Sequence, residues 1–167
     1  MIYKIKEQFW GWGDSFTIVD ESDRVRYTVE SERYTWGDRL SLKNLGGVKL
    51  AAIHQRWGLW HSKYQIQMGS RRAELEQALG WYAPGFRLKL PSREVLTVKG
   101  LPHTHEYTFE RSGEALAQVS KRGPAWSDHY GIHILDGASE VVILSACIAI
   151  DRILHRVQHS GVSVESS

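Results

Sequence analysis

Apolar and polar residues alternate with a period of two along almost the whole chain. Seven runs place their apolar side chains on one face of an extended segment, as half-buried strands do. They begin at Phe16, Val25, Leu40, Tyr64, Phe86, Tyr107 and Tyr130. Short turns rich in Gly, Pro, Asp and Ser separate pairs of runs. Gly allows a positive φ, Pro fixes φ, and Asp and Ser bond the local backbone, so each of these residues favours a turn. The pattern predicts about twelve strands, near residues 2–9, 15–20, 24–32, 39–44, 48–57, 63–68, 72–79, 86–90, 94–99, 105–111, 114–122 and 129–135.

One of these strands is predicted against its composition. Residues 72–79 are rich in Ala, Glu, Leu and Gln, which favour helix. The segment follows the turn at Gly69-Ser70 within a series of hairpins, and this position favours a strand.

The pattern changes after residue 135. The turn at 136–140 supplies a helix start, and residues 140–156 then form an apolar-rich segment that predicts a helix. Because its first half is apolar on every face, it must be buried on all sides, and its length of roughly 25 Å matches a barrel wall. A barrel of twelve strands leaves a lumen that needs a plug. We therefore predict a mainly β protein, a twelve-stranded antiparallel barrel of six hairpins around a buried C-terminal helix, as one domain over 1–156 with a flexible tail over 157–167. A two-sheet sandwich with the helix at one end is the alternative.

Segments at both ends of the chain carry a family resemblance. Residues 2–7, residues 13–20, and residues 130–134 with the apolar helix that closes in Ile150-Asp151 resemble the LURP-one-related proteins. That family is part of the tubby C-terminal-like superfamily, which includes scramblase-like relatives. The resemblance implies a barrel around a central helix. It also implies lipid binding, because tubby domains bind phosphoinositide head groups and scramblases are associated with lipid movement.

Composition and charge narrow the class of partner. The 167-residue chain has 21 Lys+Arg against 19 Asp+Glu, a net charge of +2, whereas bulk nucleic-acid binding needs a strongly basic face. The single cysteine, Cys147, excludes a disulfide framework within the chain and predicts a buried, inert thiol. The apolar run 141–150 is about half the length needed to cross a bilayer. We expect a cytoplasmic protein with no nucleic-acid partner and no transmembrane segment, which is peripheral if it meets a membrane.

Seven tryptophans lie in or beside the links between hairpins. They are Trp10, Trp12, Trp36, Trp57, Trp60, Trp81 and Trp126. In an up-and-down barrel these links share one end, opposite the polar turns. Indole suits a half-buried lid and equally suits a membrane interface. The tryptophan-rich rim is therefore either a structural lid or a docking surface for lipid, an apolar ligand or a protein.

Two further groups of residues suggest ligands. Arg71, Arg72 and Arg93 lie in or beside hairpin turns and could converge on an anionic head group, although such residues also form ordinary solvated barrel faces. The pairs His103/His105 and His129/His133 have spacings compatible with metal ligation, but no third ligand follows from the sequence. We predict no metal site.

The sequence contains no nucleophile elbow, phosphate-binding Gly-rich loop or zinc-protease motif. It predicts a non-enzymatic binding or scaffold module without a cofactor, which engages membrane lipid, a phosphoinositide-like head group or a partner protein. The alternative is a structural or regulatory protein with no small-molecule ligand. A carrier of an apolar small molecule, or an enzyme, is the third candidate.

Overall fold

Twelve strands and one long helix account for most of the residues that the structure describes. The computed structural model describes residues 1–6, 15–32, 39–56, 63–78, 85–121 and 129–160. The strands are β1 Ile2–Lys6, β2 Phe16–Asp20, β3 Val25–Ser31, β4 Arg39–Asn44, β5 Lys49–Arg56, β6 Lys63–Met68, β7 Arg71–Ala78, β8 Gly85–Lys89, β9 Val95–Leu101, β10 Glu106–Arg111, β11 Glu114–Ser120 and β12 His129–Ile134. The helix α1 is Glu140–Ser160, and a 3-10 helix covers Pro102–Thr104.

The strands form a closed antiparallel barrel in chain order. Short turns that the sequence predicts join five pairs of strands, which are β2–β3, β4–β5, β6–β7, β8–β9 and β10–β11. The sixth pair, β12 with β1, closes the barrel without a turn, in a register that runs from Ile2 opposite His133 to Lys6 opposite His129. The predicted twelve-stranded barrel is confirmed, and the two-sheet sandwich is not formed.

The helix α1 fills the lumen. Every residue from 142 to 151 is buried, as expected for a helix that is apolar all round. Strand side chains that point inward, such as Ile66 and Leu75, join the helix in one apolar core. The helix begins at residue 140 as predicted but continues past 156 to Ser160. Among the described residues, no helix combines the length and apolar content needed to span a membrane.

The barrel has two distinct ends. We call the end that carries the five hairpin turns, at residues 21–24, 45–48, 69–70, 90–94 and 112–113, the turn end. The opposite end, which holds the 3-10 helix, is the link end. Because α1 follows β12 directly, it enters the lumen at the turn end and runs towards the link end.

The segment with helical composition is a strand, as predicted. In β7, Ala73 and Leu75 are buried, while Glu74 and Glu76 alternate with them and meet Lys63 of β6. The alternation of burial along this segment, rather than the intrinsic propensity of its residues, decides its conformation. The sequence missed the 3-10 helix. His105, the residue after it, has a left-handed conformation, so β10 begins at Glu106 and not at residue 105 as expected.

Candidate functional site

The three predicted anion-binding arginines all lie at the turn end, but they do not converge on one point. Arg71 begins β7 on the same face as the buried Ala73 and Leu75, so its side chain is at the mouth of the lumen. Arg72 alternates with it, opposite Gln67 in the register. Arg93 is at the tip of the next hairpin turn, in a left-handed conformation with φ of 73°. All three are exposed, and none makes an ion pair with another described residue.

Three adjacent turns form a surface that we call the basic arc. It comprises residues 43–49, 68–72 and 89–95, from the β4–β5, β6–β7 and β8–β9 hairpins. Six of its residues are basic, and they are Lys43, Lys49, Arg71, Arg72, Lys89 and Arg93. Its one acid, Glu94, pairs with Arg111 at 3.8 Å.

Two cations of the basic arc are already neutralised by strand residues. Lys43 pairs with Glu30 at 2.5 Å, and Lys49 pairs with Glu32 at 2.6 Å. The hydrogen bond from Lys49, followed by that from Ser41, lowers the pKa of Glu32 to about 2. The other four basic residues have no acidic partner in the described part of the chain. The arc therefore has an uncompensated positive charge.

The basic arc also exposes large apolar side chains. Leu45 is 68% exposed, Val48 is 59% exposed and Val95 is 47% exposed. Leu45 and Val48 flank Gly46-Gly47 at the tip of the β4–β5 turn, where a solvated turn would ordinarily have polar residues. Exposed apolar side chains beside basic residues without an acidic partner among the described residues are a combination that the interface of an anionic membrane accommodates.

A cleft of about 260 Å³ opens at the turn end between the hairpin turns and the start of α1. Its floor is apolar, and its mouth is polar. The floor is formed by Met68, Leu90, Leu96, Leu116, Val142 and Ile143, and the polar side chains are Arg71, Ser92, Glu94, Arg111 and Ser139. Since Glu94 and Arg111 pair with each other, Arg71 is left as the uncompensated charge of the cleft.

The first residue of α1 is anchored to the barrel wall. The hydroxyl groups of Tyr3 and Tyr27 both donate to Glu140 Oε2, at 2.6 and 3.0 Å. Burial, and then the hydrogen bond to Glu140, raises the pKa of Tyr3 well above its ordinary value. A carboxylate in the first turn is also stabilised by the helix dipole. Glu140 therefore fixes the helix start beside the cleft.

A second carboxylate is bound near the link end. Tyr130 donates its hydroxyl to Asp151, and His105 Nε2 lies 3.2 Å from the other carboxylate oxygen. The His105 and Tyr130 rings stack at 4.2 Å. Burial, followed by the charge of Asp151, raises the pKa of Tyr130 well above its ordinary value. Asp151 therefore links α1 to β12 through Tyr130 and to the end of the 3-10 helix through His105.

Cys147 lies inside α1 and is completely buried, as predicted. Burial raises the pKa of its thiol well above the ordinary value, so the nucleophilic thiolate is disfavoured.

The structure separates His103 from His105, one of the two histidine pairs that the sequence suggests. His103 is exposed within the 3-10 helix, and His105 follows it in a left-handed conformation, so the two do not share the face of a strand. His105 is held against Asp151 by its Nε2 atom. The described segments contain no group of three or more His, Cys, Asp or Glu residues placed to hold a metal ion.

The seven tryptophans of the predicted rim, Trp10, Trp12, Trp36, Trp57, Trp60, Trp81 and Trp126, lie outside the described residues. The choice between a lid and a docking surface at that end stays a prediction.

Sequence reasoning missed the cleft and both bound carboxylates. One signal was available for the cleft, because Arg71 shares its period-two face with Ala73 and Leu75 and must therefore point towards the lumen. A signal also existed for Asp151, since an acid that directly follows a fully buried helical run needs a hydrogen-bonding partner. Its partners His105 and Tyr130 are distant in sequence, and nothing local identifies them.

The fold defines a class, a closed antiparallel β-barrel whose lumen is filled by its own C-terminal helix. The family model described as LURP-one-related matches residues 1–151. The chain belongs to the LURP-one-related family, as the resemblance predicted.

The chain is also similar to two known proteins. The chain is 21% identical over 159 residues to the uncharacterized protein YxjI of Bacillus subtilis (strain 168), which covers 95% of this chain and 96% of the relative. The X-ray structure of an Arabidopsis thaliana protein, AT5G01750, is similar with a TM-score of 0.59 and 12% identity, over 94% of this chain and 91% of that chain. At that identity the likeness shows the fold alone.

Proposed function

We propose that the protein is a non-enzymatic binding module that docks on an anionic membrane surface through the basic arc. One observation carries the proposal. Three adjacent hairpin turns combine the exposed side chains of Leu45, Val48 and Val95 with four basic residues that have no acidic partner among the described residues. Apolar side chains enter the interface of a bilayer, while neighbouring cations meet anionic head groups.

The two contributions are both needed for useful affinity. Each basic residue near an anionic leaflet contributes about 1 kcal/mol, so four contribute about 4 kcal/mol, which corresponds to a dissociation constant of only about 1 mM. A fully inserted Leu or Val side chain adds roughly 1.5–3 kcal/mol. Binding is therefore expected to be reversible, and to depend on salt and on the apolar tips.

The bound carboxylates support a role without catalysis. Glu140 and Asp151 are each held by tyrosine hydroxyls within the fold, and these bonds serve to anchor α1. The thiol of Cys147 is buried among apolar side chains. The proposal implies a peripheral location, because the basic arc at the turn end would contact the surface of a bilayer without crossing it.

The test is co-sedimentation with phosphatidylcholine vesicles that contain or lack phosphatidylserine. We expect the protein to sediment with the anionic vesicles and to be released by added salt. Arg72→Gln and Arg93→Gln should each weaken binding about fivefold, because each removes about 1 kcal/mol. Leu45→Ser should weaken binding even at low salt, because it removes an inserted side chain without changing the charge.

The matched control is Arg56→Gln, which removes an exposed arginine at the link end of β5. It should leave vesicle binding unchanged. The proposal fails if the protein ignores both kinds of vesicle, or if Arg56→Gln weakens binding as much as Arg72→Gln. It also fails if binding survives all changes in the arc and is lost on Trp12→Ala or Trp60→Ala, since the tryptophan-rich rim would then be the docking surface.

A further inference from the structure

We infer that the turn-end cleft is a binding site for a single-chain anionic amphiphile, whose phosphate or carboxylate head pairs with Arg71 and whose apolar chain lies on the cleft floor. The site takes one soluble ligand molecule and does not require a membrane, so it goes beyond the docking proposal.

The charge of the cleft selects an anion. Arg71 is exposed at the mouth and makes no ion pair with a described residue. The other two charged side chains of the lining, Glu94 and Arg111, neutralise each other. Glu140, the nearest acid of α1, does not line the cleft and is engaged by Tyr3 and Tyr27. A ligand in the cleft therefore meets one net positive charge, on a guanidinium whose planar donors suit a phosphate or carboxylate.

The floor of the cleft selects an apolar chain. Leu96, Leu116, Val142 and Ile143 are all buried apolar residues that line this space. A floor of this kind offers no hydrogen-bond partner to a polar ligand, whereas a methylene chain is stabilised by each group that it buries there.

The size of the cleft limits the ligand. Its volume of about 260 Å³ exceeds the roughly 150 Å³ of an apolar cavity that accepts benzene. It is below the roughly 300–1,000 Å³ of sites for drug-sized molecules. The cleft therefore fits a head group with a medium-length chain better than a bulky head group or a two-chain lipid.

Two adjacent arginines make a matched pair for the test. Arg71 and Arg72 are neighbours on β7, both are exposed, and only Arg71 lines the cleft. The docking proposal assigns them similar weights, because both belong to the basic arc. The cleft proposal assigns the head group to Arg71 alone.

The experiment is calorimetric titration of the full chain with octyl phosphate below its micelle concentration, beside inorganic phosphate and octyltrimethylammonium. We expect saturable binding of octyl phosphate, at least tenfold weaker binding of inorganic phosphate, and no binding of the cation. Arg71→Gln should weaken octyl phosphate binding tenfold or more, since a charged hydrogen-bond partner is lost, whereas Arg72→Gln should change it less than twofold. Octanoate should bind in the same place and compete, which shows that the anionic head rather than phosphate itself is recognised.

Two substitutions fill the cleft without changing any charge. Ala138→Phe and Ala138→Trp enlarge a half-buried side chain of the lining that lies outside the basic arc, and each should abolish octyl phosphate binding while the thermal unfolding midpoint shows that the chain is folded. Vesicle co-sedimentation of these variants should be unchanged, so failure of the cleft is distinguishable from failure of membrane docking.

Three results would overturn the inference. The first is inorganic phosphate binding as tightly as octyl phosphate, which would reduce the site to a surface arginine. The second is equal loss on Arg71→Gln and Arg72→Gln. The third is octyl phosphate binding that persists in a folded cleft-filling variant.

Discussion

At the scale of single residues, the half-buried histidine His54 illustrates how charge is placed in this barrel. Arg39 Nε donates to His54 Nδ1 at 2.7 Å, so this nitrogen must be unprotonated. Burial, and then the positive charge of Arg39, hold the pKa of His54 below its ordinary value of 6.5. The folded state therefore favours the neutral imidazole.

This arrangement predicts a loss of stability in mild acid. Above pH 6.5 the imidazole is neutral in both states, and its contribution to stability is complete. As the pH falls below 6.5 the unfolded chain takes up the proton first, so the free energy of unfolding decreases until the folded pKa is reached. Because the site is partly open to solvent, the loss should be at most about 1 kcal/mol. Urea unfolding at a series of pH values measures it.

The comparison variant is His54→Asn, whose amide oxygen still accepts the bond from Arg39 but does not titrate. Its unfolding free energy should vary less with pH between 5 and 7 than that of the unmodified chain. A steeper profile for His54→Asn would contradict the prediction.

At the scale of elements, sequence patterning predicts strands well where hairpin turns fix the register. The strand β7 is the instructive case, because its alternation of Ala73 and Leu75 with Glu74 and Glu76 outweighs helical propensity. Prediction is poorer at the links. His105, with φ of 55°, caps the 3-10 helix and contacts Asp151 of α1, and no local pattern encodes that contact.

The pairing of β9 with β10 depends on a glycine, Gly100, that the sequence places in a link. Gly100 belongs to β9 and has φ of +115°, and a Cβ atom there would lie 2.5 Å from the carbonyl oxygen of Glu106 and 2.9 Å from the Cα of Tyr107. Both contacts are with backbone that is held in the barrel. We expect Gly100→Ala to lower the free energy of unfolding by at least about 2 kcal/mol, from backbone strain and the clash together. Denaturant unfolding at constant pH measures the change.

Gly69→Ala is the control for the strain alone. Gly69 also has a positive φ, of +57°, but a Cβ there has no neighbour within 4 Å. Its cost should be about 1–2 kcal/mol. If the two substitutions cost the same, the close approach of Glu106 is not important for the pairing of β9 with β10.

At the scale of the whole molecule, the number of strands and the buried helix can be predicted from the sequence. Each strand repeats the same alternation of apolar and polar residues, and the helix is apolar on every face of its first half. The properties that arise from distant contacts do not follow. The cleft exists only because the β6–β7, β8–β9 and β10–β11 turns meet the start of α1, and its volume depends on how these elements pack. The basic arc likewise needs three turns that are separate in sequence to be neighbours in the barrel.

The helix is tied to the barrel wall at two places, and this predicts how the whole molecule unfolds. Glu140 is bound by Tyr3 and Tyr27 near the turn end, and Asp151 by Tyr130 and His105 near the link end. Each of Glu140→Ala and Asp151→Ala leaves a buried tyrosine hydroxyl without its acceptor, which should cost roughly 1–3 kcal/mol. The two sites are separated by about 16 Å along the helix, so the two losses should add to within about 0.5 kcal/mol in the double variant.

Urea unfolding of the two single variants and the double variant tests this additivity. The dependence of the unfolding free energy on urea concentration should be the same in all three, because the helix stays in the lumen and the same surface is exposed on unfolding. A double variant with a reduced dependence would show that the helix has left the barrel before the strands separate. The two carboxylates would then together keep the helix in the lumen, rather than contribute independently to one cooperative fold.

Tyr130→Phe tests the cause of the loss at Asp151. Added to the Asp151→Ala variant, it removes the hydroxyl donor together with its need for an acceptor. It should restore part of the stability lost in Asp151→Ala and so confirm that the unpaired hydroxyl is the cause.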